Sequence, residues 1–169
     1  MARRRMDAPV EDPSAVVRSS GIDVAVPSGW DAEIYRREAG FSPQSGQSGD
    51  SHPVVHLGTF PLPQGRGDFG SGAVEIMNAD DLLVVLFEYD SESAGTALFS
   101  KSGIPRVAAA DFGPNNMQRP LPGQSGAQYF FNQSGRAFCL YVVLGAHARR
   151  NELVPEVNQI LAGLTIDPV

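Results

Sequence analysis

Apolar and polar residues alternate along Ile22, Asp23, Val24, Ala25 and Val26, the period of a half-buried strand, and Pro27-Ser28-Gly29 interrupts them. The alternation resumes in WDAEIYRR, 30–37, where Trp30, Ala32 and Ile34 share one side and Asp31, Glu33 and Tyr35 the other. A β-hairpin closing at Pro27-Ser28-Gly29 is therefore expected, with Trp30 closing the edge of the core. VVHLGTF, 54–60, reads as a further strand. AVEIM (73–77) and LLVVLFEY (82–89), separated by Asn78-Ala79-Asp80-Asp81, read as a second hairpin. Asp90 or Ser91 can cap a short helix over 92–99, although Gly95 and Thr96 oppose it. A short strand is expected around 116–119. The clearest hairpin pairs about 126–133 with 136–144 across Ser134-Gly135. From about Asn151, residues Leu153, Val154, Val157, Ile160, Leu161 and Leu164 follow helical spacing and Gly163 supplies a stop.

The runs 82–87 and 138–144 are apolar at every position, so the sheet that holds them must be covered on both faces. The C-terminal helix covers one face, and an earlier helix or the long loops cover the other. Five to eight antiparallel strands with two or three helices follow. No internal repeat argues for a solenoid or propeller. Residues 1–19 read as a flexible N-terminal tail and 20–169 as one α+β domain.

With 169 residues the chain can bury roughly 70% of its unfolded surface, enough for a core without staples. The net charge of −6 removes any overall attraction to nucleic acid or anionic lipid. Lys101 is the single lysine among 13 basic residues, a sign of a GC-rich source. A lone cysteine, Cys139, allows no intramolecular disulfide. No apolar run reaches transmembrane or signal-peptide length, so the expected location is cytoplasmic as given, or the cell envelope if an N-terminal signal was trimmed.

GIDVAVPSGW (21–30), FCLYVVLG (138–145) and LVPEVNQILAGLTI (153–166) stand in an order that resembles the PsbP-like domains, over about residues 20–167. The chain is also similar to uncharacterised actinobacterial proteins of this shape. The resemblance implies an αβα sandwich: an antiparallel sheet of about 5–8 strands covered by helices on both faces. It also implies a protein-interaction or accessory role, as in photosystem accessory subunits, a Ran-binding nuclear import factor and bacterial envelope lipoproteins. None of that family's binding residues has a counterpart here by position, and no lipoprotein cysteine lies near the start.

No catalytic constellation emerges from the residues themselves. His52 and His56, with Asp50 nearby, are the weak metal alternative, but four residues along a strand span roughly 13 Å, too far to share an ion unless Pro53 turns the chain. Ser125, in GQSGA, lacks the strand-to-helix context of a nucleophile elbow, and Ser48 has the same defect; His147 is the remaining histidine. Cys139 reads as a buried, inert thiol. Glu88, Asp90 and Glu92 read as a solvated acidic strand end, and Arg36-Arg37 and Arg149-Arg150 as solvated element ends. Arg66-Gly67-Asp68 spells an integrin tripeptide, which we read as an ordinary exposed turn.

The long irregular segment 111–124 offers Phe112, Asn115, Asn116, Met117 and Arg119 as a ligand or partner surface. The expected function is a non-enzymatic accessory module, without cofactor, that binds a protein partner or a small ligand. The alternative is a hydrolase-like enzyme with a site built from loops 42–53 and 111–124, near His52, Asp111 or Asn115. A third reading pairs an uncovered apolar sheet face with a second copy as a homodimer.

Overall fold

The structure is a computed structural model, and it describes residues 15–37, 41–42, 47–48 and 51–168. Its elements are β1 (Ala15–Ser19), β2 (Ile22–Val26), β3 (Asp31–Arg36), β4 (Phe41–Ser42), β5 (Gln47–Ser48), β6 (Pro53–Gly58), β7 (Leu82–Tyr89), β8 (Ser125–Gln133), β9 (Arg136–Leu144), α1 (Arg150–Ala162) and β10 (Leu164–Ile166). The main sheet has the order β3-β6-β7-β9-β8 and a smaller one the order β1-β2-β10, while β4 and β5 pair only with each other. Every pair is antiparallel.

Two hairpins share one turn chemistry. Ser20-Gly21 joins β1 to β2 and Ser134-Gly135 joins β8 to β9. All four residues have φ between 55 and 75°, the left-handed conformation that two-residue hairpins of this twist demand. The Ser20-Gly21 hairpin takes in residues 15–19, so a paired strand stands in the last part of the segment read as a tail.

The main sheet carries a separate core on each face. On one, Val55, Leu57, Val84, Leu86, Leu140 and Val142 meet β2, β10 and the apolar stripe of α1, from Leu153 to Leu161. Trp30 is half-buried against this core. On the other, Val54, Leu83, Val85, Phe87, Tyr141 and Val143 meet Phe60, Phe69, Ala73, Val74, Met117 and Leu121. These covering residues belong to irregular chain, apart from the single 3-10 turn Val74–Ile76.

The expectation of an α+β sandwich with helices on both faces is therefore overturned. Among the described residues the protein is mostly β, with one α-helix, on one face of the main sheet. The apolar pattern demanded cover on both faces, and on one face irregular chain supplies it in place of a helix. Three local expectations also change. β2 and β3 belong to different sheets, so Pro27-Ser28-Gly29 is a corner between layers and not a hairpin turn. AVEIM forms a 3-10 turn and not a strand, because Ala73 and Val74 point into the core below the loop. Residues 92–99 form two 3-10 turns, Ser91–Gly95 and Ala97–Phe99, and 116–119 form no strand.

Candidate functional site

The edge strand β8 is the feature that invites a partner. Across Ser134-Gly135 the ladder pairs Gln133 with Arg136, so Gln133, Phe131, Tyr129, Ala127 and Ser125 direct their backbone groups to β9. The alternate residues direct theirs outward. Asn132 donates to the Lys101 carbonyl at 2.8 Å and accepts from the Gly103 amide at 2.8 Å. Gly126 exchanges two 3.1 Å bonds with Gly113. Between these two bridges, the outward amides and carbonyls of Gln128 and Phe130 have no hydrogen-bond partner among the described residues.

Local sequence explains why the edge is closed at its ends and open in its middle. A Cβ at Gly126 would stand 3.0 Å from Met117 Cγ and 3.1 Å from the Asn116 carbonyl oxygen, so only glycine lets the 113–117 loop pair there. From Gly103 the chain leaves the edge and packs Val107 into the core, where Asn158 of α1 clamps it by donating to the Val107 carbonyl (3.0 Å) and accepting its amide (2.9 Å). The chain returns at Gly113. Two cavities flank the gap, about 570 Å³ beside residues 97–106 and about 530 Å³ beside 115–118, and Asp111, Gln128 and Phe130 line both. Leu98, 59% exposed, lines the larger one.

The opposite edge is blunted. Strand β3 carries Asp31, Glu33 and Arg36, the Asp31 carboxylate takes the Ala32 amide at 3.0 Å, and β1 runs close beside it.

The residues expected to form a recognition surface divide. Asn115, Asn116 and Arg119 are exposed. Phe112 and Met117, 5% and 8% exposed, are turned into the two opposite cores and anchor the segment. Gln128 and Phe130 escape a sequence reading, because their importance lies in backbone groups; the available signal was a strand flanked by Gly-rich loops.

The other candidates are spread through the fold. His52 Nε2 meets Asp90 Oδ1 at 2.8 Å at the start of β6, whereas Asp111 and Asn115 lie beside β8, three strands away. Among the described residues of 42–53 and 111–124, no common cavity brings them together; Ser48 and Asp50 lie outside what is described of side chains. His56 is fully buried and four residues from His52 it faces another environment: its Nε2–H donates to the Asp68 carbonyl at 2.7 Å and its Nδ1 accepts from Arg66 Nε at 2.6 Å. Burial and the neighbouring Arg66 guanidinium push its pKa down, against the Asp68 carbonyl, and the ring is neutral. No cluster of metal-ligating side chains occurs among the described residues.

Arg66-Gly67-Asp68 is not a displayed tripeptide. The Arg66 guanidinium, with the side chain 6% exposed, is held by Glu33 and by the Pro63 carbonyl (2.9 Å). Asp68 Oδ1 accepts the Tyr35 hydroxyl at 2.6 Å; burial, then this bond, raises the Tyr35 pKa. Glu88 is likewise not solvated. It forms a two-pronged pair with Arg136 (2.8 and 2.9 Å), the side chains 7% and 4% exposed, and Arg136 also donates to the carbonyls of Ser20 and Asp167, each at 3.0 Å. The basic doublets are engaged as well: Arg37 stands over the Phe87 ring at 4.4 Å and Arg149 pairs with Asp80 and Glu152. Ser125 opens β8 with no exposure and, among the described residues, no hydrogen-bond partner for its Oγ, and Cys139 is buried, its thiol pushed up to about 12 by desolvation.

Compared with protein-family models, curated proteins and solved structures, the chain matches none of them. No helix among the described residues is long and apolar enough to cross a membrane.

Proposed function

We propose that the protein is a non-enzymatic interaction module that accepts an extended segment of a partner protein as an added strand on β8. The observation that carries this reading is the set of outward backbone groups of Gln128 and Phe130, without partners among the described residues and bracketed by two bridges to the protein's own loops. Four outward backbone groups in register can pair with one extended chain, main-chain hydrogen bonds supplying affinity and the flanking cavities receiving alternate side chains. The bridges limit the length of the added strand and keep the edge from templating open-ended aggregation.

The test is a peptide selected from a random display library on the full chain, followed by amide exchange with and without it. Protection of the Gln128 and Phe130 amides by the peptide is expected. Gln128→Pro removes one outward donor and no ladder bond, and should weaken binding about tenfold while the fold survives. A peptide methylated on alternate backbone nitrogens supplies the same test without mutation. Selected peptides that protect another surface overturn the proposal, as does a concentration-dependent dimer that protects these two amides, since the occupant is then a second copy.

A further inference from the structure

We infer that the segment taken up by this edge is acidic. The inference rests on the strand-addition reading and adds to it the chemistry of the occupant. The chain as a whole has 19 acidic and 13 basic residues, yet the larger cavity beside the gap holds Lys101 and Arg106 against Asp111 alone. Both cations are exposed, and neither has an ion-pair partner among the described residues. The Asp111 carboxylate is drawn to the sheet, where Oδ2 accepts the Tyr129 hydroxyl at 2.7 Å.

Both cations stand toward one end of the gap. The Lys101 carbonyl accepts the Asn132 amide, so this lysine stands at one end of the open segment. Toward Gly126 the smaller cavity is lined by Asp111 as its one charged residue, and Arg119 lines a different cavity with Asp68 and Glu75. An extended chain laid along Gln128 and Phe130 therefore meets positive charge at its Lys101 end, where Leu98 and Ile104 also offer it apolar surface. On a protein of net charge −6, such a patch favours carboxylates locally while the remaining surface repels acidic chains that approach elsewhere.

The experiment uses one threonine- and valine-based host peptide with Glu, Gln or Lys at the same alternate positions, titrated against the full chain by fluorescence anisotropy. Affinity should fall in the order Glu, Gln, Lys, with about a tenfold span between the ends. The span should shrink between about 50 and about 300 mM salt, because these charges are exposed. Lys101→Gln with Arg106→Gln should abolish the preference, and Lys101→Gln alone should reduce it. Equal binding of all three peptides, with Gln128 and Phe130 protected, overturns the acidic inference and leaves strand addition standing. A preference for Lys overturns it too. Failure of every peptide to protect these amides overturns both.

Discussion

The two faces of the main sheet solve the same problem by different means. Beneath β2, β10 and α1, the cover satisfies most of its own backbone hydrogen bonds, so the contact can be almost purely apolar. Beneath residues 59–77 and 117–121 the cover is irregular chain, whose amides and carbonyls need partners from elsewhere. Side chains supply them: His56 donates to the Asp68 carbonyl, Arg66 to that of Pro63, Gln124 to that of Val74 (2.7 Å), and the Tyr141 hydroxyl accepts the Gln118 amide (2.9 Å). Even on the regular face, the one irregular stretch at Val107 is clamped by Asn158 in the same way. Polar groups thus enter this core wherever loop replaces regular structure.

The Arg136–Glu88 pair is the charged exception under the regular cover, tying the Ser20 turn and Asp167 to the end of the main sheet. Arg136→Ala should cost about 3–5 kcal/mol in urea unfolding, because it strands Glu88 as an uncompensated buried charge. Glu88→Leu combined with Arg136→Met should restore most of that loss. If it does not, the pair is needed for its reach to the two carbonyls more than for charge balance.

Arg66→Ala should cost about 1–3 kcal/mol, since it leaves His56 Nδ1 buried without a donor. Amide exchange should quicken in residues 59–77 and stay slow in β9. Exchange that quickens equally in α1 would break the comparison, because the two covers would then open as one unit.

His56 sharpens the contrast through pH. Its pKa is depressed in the native state, so above the ordinary 6.5 its contribution is fully present. As pH falls below 6.5, the unfolded chain binds a proton that the native state refuses, and stability declines by up to about 1.4 kcal/mol per pH unit until the native pKa is reached. Glu33, Tyr35, Arg66 and Asp68 surround the ring. Parallel urea titrations of His56→Gln should lack this increment of slope; an unchanged slope would assign the effect to carboxylates elsewhere. The smallest effect belongs to the open edge: Gln128→Pro should move stability by no more than about 0.5 kcal/mol while weakening peptide capture.

Legibility followed the same division. The apolar runs of β7 and β9, the Ser134-Gly135 hairpin and the α1 stripe ending at Gly163 could be read directly, because each follows from local periodicity and turn chemistry. Ser20-Gly21 carries the same dipeptide between alternating residues, and weighing it equally would have recovered β1. AVEIM misled because alternation over five residues suits a 3-10 turn with one buried side as well as a strand. In the 111–124 segment the length and irregularity marked a surface loop, but Phe112 and Met117 proved to be anchors.

Local pattern and turn chemistry, then, decided the strands, the helix and the need for cover on both faces, since these depend on neighbours along the chain. Tertiary structure alone decided what the cover would be and where polar groups would be hidden. It turned Arg66 and Asp68 inward, joined Glu88 to Arg136 across 48 residues of sequence, and left the outward backbone groups of Gln128 and Phe130 without partners among the described residues. Those outcomes depend on which distant backbone groups find partners, and a one-dimensional pattern of side chains does not carry that information.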